Sequence, residues 1–129
     1  MSTETGPIGI AAAQAFIDAF NAQDYVALAN TLNYPHTRLA GGRFVTIDSA
    51  ADFTEMSRRG KPRLEKEGWH HTVMASSEVI HSGDDKVHLS LHMERRHEDG
   101  TVYNRFDTMW IVTLLDGHWG VQFRSSFLR

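Results

Sequence analysis

Histidine and arginine are the residues through which this chain could do chemistry. Eight histidines fall within 129 residues, and an imidazole that titrates near neutral pH is the usual proton-transfer group. Spacing decides which uses are open. His88 and His92 share a strand face but lie about 13 Å apart at ~3.3 Å per residue, too far to hold one ion. His70 and His71 point to opposite faces, and no His-Glu-x-x-His helix occurs. No metal and no other cofactor is expected. A serine triad fails on order. His92, Asp107 and Ser126 would line up across three strands with the carboxylate in the middle, whereas the imidazole must stand between hydroxyl and carboxylate. An acid–base pair survives, with Asp107 holding His92, His71 or His36 in one tautomer; a plain cross-strand ion pair fits the same residues. His36 and Arg38 alternate after Pro35, so they project to one side together. With Tyr34 they would meet an anionic or enolic oxygen; otherwise Arg38 pairs with a carboxylate and His36 fills a half-buried gap. Trp69 shares a face with His71 and would wall an apolar pocket or pack in the core. Arg124, between Gln122 and Ser126, would hold a carboxylate or bridge to Asp107. Arg58-Arg59 and Arg95-Arg96 are expected in solvent.

These side chains need elements to position them. Residues 1–9 are small, polar and interrupted by Gly6, Pro7 and Gly9, which predicts a loose tail. From Ile10 the spacing of Ala13, Phe16, Ile17 and Phe20 makes one apolar helical stripe. Asn21-Ala22-Gln23 breaks it, and Asp24 has the chemistry of an N-cap for a second helix burying Leu28 and Leu32. Pro35 ends any helix there. Thr37 to Ile47 predicts a hairpin turning at Gly41-Gly42. Ser49, with Asp52 three residues on, opens a third helix that carries Phe53 and Met56 and stops or kinks near Gly60 and Pro62. Four long runs rich in Val, Ile, Thr and aromatics follow, punctuated by Ser82-Gly83-Asp84-Asp85, Asp99-Gly100 and Asp116-Gly117.

The turns fix the pairing of those runs. Two-residue turns at Asp99-Gly100 and Asp116-Gly117 place Met93 opposite Phe106, Leu89 opposite Trp110, Val87 opposite Val112, and then Val112 against Val121, Trp110 against Phe123 and Phe106 against Phe127. Apolar groups collect on one side, with Glu94 beside Arg105 and His92 beside Asp107 on the other. A three-residue loop or a mid-strand bulge would shift these registers by one.

The order of elements is α+β: about three N-terminal helices on a strongly curved, mostly antiparallel sheet, made of a short hairpin and a four-strand meander, in one domain spanning 10–129. Hydrophobic residues at 41% and charged residues at 22% are ordinary for a globular chain. A formal charge of −3 lacks the electrostatic footprint of a nucleic-acid binder. Without cysteine there is no disulfide or thiolate. No apolar run approaches the ~20 residues of a membrane span, and Met1 to Gly9 is unlike a signal peptide. A cytoplasmic protein with no nucleic-acid or membrane partner is expected. Large residues on both faces of the last strands, Trp110 and Phe123 against Met109 and Ile111, predict a homodimer through the sheet.

The paired helices (AAAQAFIDAFNAQDYVALANTLNYPH), the helix after Asp48-Ser49 and the closing DGHWGVQFRSSF resemble the nuclear-transport-factor-2-like superfamily, in its SnoaL-like, ketosteroid-isomerase-like branch. The resemblance runs over residues 10 to 128. It implies a cone-shaped fold whose sheet wraps the helices around a pocket for a small apolar ligand, often in a homodimer. Carried residue by residue, it supplies no ketosteroid-isomerase base, since Arg38-Leu39-Ala40-Gly41 occupies that stretch, and Ile111 stands where an Asp donates to the oxyanion. Scytalone-dehydratase-like relatives use His and Asp, types that His36, His71, His92 and Asp107 supply here. Two functions follow as expectations. One is a cofactor-independent isomerase, dehydratase or cyclase, with one of the three histidines as base, Asp107 orienting it and Arg38 or Arg124 steadying negative charge. The other is a non-catalytic ligand-binding or dimeric interaction domain.

Overall fold

The computed structural model describes residues 5–128. In chain order it holds α1 (Thr5–Ala22), α2 (Tyr25–Asn30), β1 (Leu32–Ala40), β2 (Arg43–Ile47), α3 (Ala50–Arg59), α4 (Lys61–Glu67), β3 (His71–Ser82), β4 (Lys86–Arg96), β5 (Val102–Leu115) and β6 (His118–Ser126). The six strands form one sheet in the order β2-β1-β6-β5-β4-β3, and only β1 with β6 is parallel. This is the α+β cone expected: helices on one face of a curved, mostly antiparallel sheet.

Helix α1 begins at Thr5, inside the stretch expected to be a loose tail; residues 1–4 of that stretch lie outside the described residues. Pro7 suits a first helical turn, where its missing N–H costs nothing. Gly9 lets the helix touch the sheet, since a Cβ there would lie 2.7 Å from the Val87 side chain. The predicted stripe then buries Ala13, Phe16 and Ile17. Asp24 caps α2 by accepting from the Ala27 N–H at 3.1 Å. That helix stops at Asn30, so Leu32 is buried from the start of β1 and not from a helix. Ser49 caps α3 through the Asp52 N–H. A separate α4 follows Gly60, with Pro62 in its first turn and Gly68 at φ 77° closing it.

The predicted β4–β5 pairs all occur, His92 with Asp107 and Glu94 with Arg105 included. Their turn is a three-residue loop, with Gly100 at φ 89° and its N–H donating to the His97 carbonyl. The one-residue shift this makes is cancelled between Arg95 and Arg96. At Asp116-Gly117 both residues take positive φ in a two-residue turn, Leu114 pairs with Trp119, and Val112 with Val121 pairs as predicted. Beyond them the prediction fails. A bulge at Gln122 moves Phe123 opposite Ile111 and Arg124 opposite Trp110. Two residues of β6 are thereby turned round: Arg124 enters the face that packs on the helices, and Phe123 leaves it.

Candidate functional site

The space between helices and sheet is a cavity of about 190 Å³, with an adjoining lobe of about 50 Å³. Both are walled by Phe16 and Phe20 of α1 and share Arg38, Arg95, Arg124 and Leu128. In the larger lobe α2 contributes Tyr25 and Leu28, α3 contributes Phe53 and Met56, and α4 contributes Leu64 and Glu67. The helices therefore bring most of the apolar wall together with Arg63 and Glu67 of α4, and the strands bring Arg38, Arg95 and Arg124.

Arg124 is the centre of the arrangement. Its guanidinium carbon lies 4.8 Å from the Phe16 ring and 5.9 Å from the rings of Phe53 and Trp110, an aromatic surround that favours a cation. Trp110 meets Phe16 edge-on at 5.0 Å and is fixed by its N–H donating to Thr108 Oγ1. The Arg124 Nε–H donates to His36 Nε2 at 3.1 Å, and His36 Nδ1 donates to the Val121 carbonyl at 3.0 Å. Both ring nitrogens are thus used, which sets the neutral tautomer with hydrogen on Nδ1. Burial first, then the Arg124 charge, lowers the His36 pKa to about 3. Burial, with Arg38 next, also lowers Arg124, to about 9, leaving it charged at neutral pH. The terminal nitrogens of Arg124 meet no carboxylate among the described residues.

Arg38 is the strand partner of Arg124 across β1 and β6. Burial, and then Arg95 and Arg63, push its pKa down; it too has no carboxylate among the described residues. Arg95 enters the cavity as well, its side chain only 14% exposed, and gives one N–H to Glu67 at 3.1 Å. Glu67 also accepts from the Tyr103 hydroxyl at 2.8 Å and lies 3.7 Å from Arg63. The expectation that Arg95 stands in solvent is corrected: Met93 two residues earlier is core, and strand alternation carries Arg95 to the same face. That signal was available in the register; nothing in the sequence pointed to Glu67.

The other expected site residues scatter. His36, Arg38 and Arg124 come together, with His36 beneath the cavity and not on its wall. Tyr34 sits near Arg124, but its hydroxyl donates to the Ala29 carbonyl, and burial pushes its pKa up to about 12. Trp69 packs edge-on against Phe20 at 5.2 Å and donates to Thr72, behind the wall. His92 and Asp107 do pair, at 2.9 Å, but on the outer face, with side chains 36% and 77% exposed. His71 lies against His70, their Nδ1 atoms 3.0 Å apart. His71, His92 and Asp107 touch neither lobe. Among the described residues no three His, Asp or Glu side chains are placed to share a metal, and no helix is long and apolar enough to cross a membrane.

Comparison with known proteins places this geometry. The sequence pattern of the family described as NTF2-like protein (DUF6841) matches residues 10–123. No curated protein matches the chain. Among solved structures, an NTF2-like protein with a cystatin-like fold from Novosphingobium aromaticivorans superposes with a TM-score of 0.76 at 14% identity, covering 98% of this chain and 83% of that one. A ketosteroid isomerase-like protein from Erwinia carotovora atroseptica superposes with a TM-score of 0.72 at 18% identity, covering 97% and 96%. A protein of unknown function with a cystatin-like fold from Nostoc punctiforme gives 0.73 at 10%, covering 93% and 87%. At such identities the likeness is one of fold.

Proposed function

Since the chain belongs to the NTF2-like protein (DUF6841) family, we propose that its cone is a binding pocket for a small organic anion with an apolar body. The observation that carries this is Arg124, a cation held in an aromatic cavity with no carboxylate partner among the described residues. A buried charge without a counter-ion is costly, and a planar guanidinium fork matches a carboxylate. Phe16, Phe20, Phe53 and Leu28 offer the surface for the apolar part.

We favour binding over proton transfer by the expected histidines. His36 has its lone pair engaged by Arg124, and His71, His92 and Asp107 stand away from the cavity. Titration calorimetry with hydrocinnamate and its neutral amide, hydrocinnamide, tests the reading. The acid is expected to bind and the amide not, and Arg124→Met is expected to abolish binding of the acid while circular dichroism shows the fold intact. Equal binding of acid and amide, or of wild type and variant, overturns it. We also propose that two copies pair through the outer sheet face, and that the cysteine-free chain works in the cytoplasm.

A further inference from the structure

We propose that the ligand of this cavity is a dianion, with two anionic groups on one short apolar skeleton: one for the Arg124 fork and one for Arg38. This rests on the anion-pocket reading and extends it to the substrate class.

The sheet register sets two cations side by side. Arg38 and Arg124 are direct partners on neighbouring strands β1 and β6, and both line both lobes of the cavity. Like charges directly opposite each other in a sheet destabilise it. Here the repulsion is aggravated by partial burial and is relieved by no carboxylate among the described residues. The charges around the cavity do not balance. Among the described residues, Arg38, Arg63, Arg95 and Arg124 line the cavity against a single carboxylate, Glu67. Glu67 is already committed to Arg95, Arg63 and the Tyr103 hydroxyl, so it offers nothing to the strand pair. Arg95 adds a buried Nε–H with no partner among the described residues. The whole chain carries a formal charge of −3, so this concentration of positive charge is local to the cavity. One monoanion would neutralise one of the two unpaired guanidinia and leave the other.

The spacing selects a skeleton. Neighbouring strands lie about 5 Å apart, so groups on adjacent carbons suit the pair, with the apolar part directed to Phe16 and Phe53. Phenylsuccinate has this form, and hydrocinnamate is the same skeleton with one carboxylate fewer. Phenyl phosphate carries two charges on one group.

Titration calorimetry at neutral pH and low salt compares the three. In the wild type, phenylsuccinate is expected to bind at least about tenfold tighter than hydrocinnamate, as a further charge-assisted fork predicts. Arg38→Met is expected to erase that difference, phenylsuccinate and hydrocinnamate then binding the variant with equal affinity. Should Arg38→Met fail to fold, Arg38→Lys keeps the charge without the fork and is expected to retain only part of the preference. Equal affinity for phenylsuccinate and hydrocinnamate overturns the dianion but leaves the anion pocket standing. Tighter binding of phenyl phosphate than of phenylsuccinate overturns the two-group arrangement. Binding of none of the three overturns the anion pocket itself, and the dianion with it.

Discussion

Arg124 keeps its charge inside the cone because aromatic faces and one neutral imidazole replace part of the water it has lost. That makes His36 a positioning residue, and its titration is the accessible evidence. The unfolded chain protonates His36 near pH 6.5, whereas in the fold its pKa is about 3. Stability from this group is therefore complete above about pH 6.5 and is lost as the pH falls toward 3, because the unfolded state takes up the proton first. The slope has a ceiling of about 1.4 kcal/mol per pH unit. In His36→Gln, urea unfolding followed across pH 4 to 7 is expected to show a slope shallower by about that amount, since the remaining titrating groups are common to both proteins. Identical slopes would mean that His36 is not held neutral. The pairing of His36 and Arg38 on one side was legible from strand alternation alone. Their meeting with Arg124 was not, because Arg124 lies 88 residues beyond His36 in sequence, on a strand joined to β1 only in the folded sheet.

At the scale of elements, the close approach of β6 to β1 builds the charged wall, and Gly120 permits it. A Cβ on Gly120 would stand 2.7 Å from the Leu32 carbonyl carbon and 2.8 Å from the Asn33 nitrogen, both backbone atoms. Gly120→Ala is expected to push the parallel strands apart at a cost of about 3 kcal/mol, the upper range for overpacking, and to weaken anion binding with it. Gly41→Ala is the control. Gly41 has φ 60° with nothing near its Cβ position, so only the left-handed backbone penalty of about 1 kcal/mol applies, and binding is unchanged. Denaturant midpoints of the two variants falling together would refute the close-approach argument. The same strands show what local chemistry can and cannot announce. Asp116-Gly117 and Gly41-Gly42 declare their turns because positive φ demands such residues. Nothing around Gln122 declares a bulge. The bend answers to the curvature of the whole sheet, and its polar groups are satisfied only on assembly, by Thr113 and the Pro35 carbonyl. The helix start at Thr5 was hidden for a related reason: Gly6 and Gly9 read locally as breakers, while their packing on Val79 and Val87 rewards having no side chain.

For the whole molecule, the bulge that turns Arg124 inward also turns Phe123 outward, and this second consequence concerns partners. Phe123 stands opposite Ile111 on the face away from the helices. Phe44, 67% exposed, lies 6.5 Å from the Phe123 ring. Phe127, 69% exposed, follows at the end of the same strand. This apolar field is bordered on β4 and β5 by charges of both signs, the His92–Asp107 pair and Glu94 with Arg96 and Arg105. A face that is apolar at its centre and mixed in sign at its rim is complementary to itself under a two-fold axis. A second copy of the chain is therefore the expected occupant, and the outer His92–Asp107 pair belongs to its rim. Sedimentation equilibrium at micromolar concentration is expected to give twice the 14.6 kDa of one chain. Ile111→Glu places a charge at the centre of the face and is expected to leave a single 14.6 kDa species. Because Ile111 lies on the side of the sheet opposite the cavity, that monomer should still bind hydrocinnamate as the wild type does. A wild type that sediments only as the single chain refutes the pairing. A variant that stays dimeric moves the interface off this face.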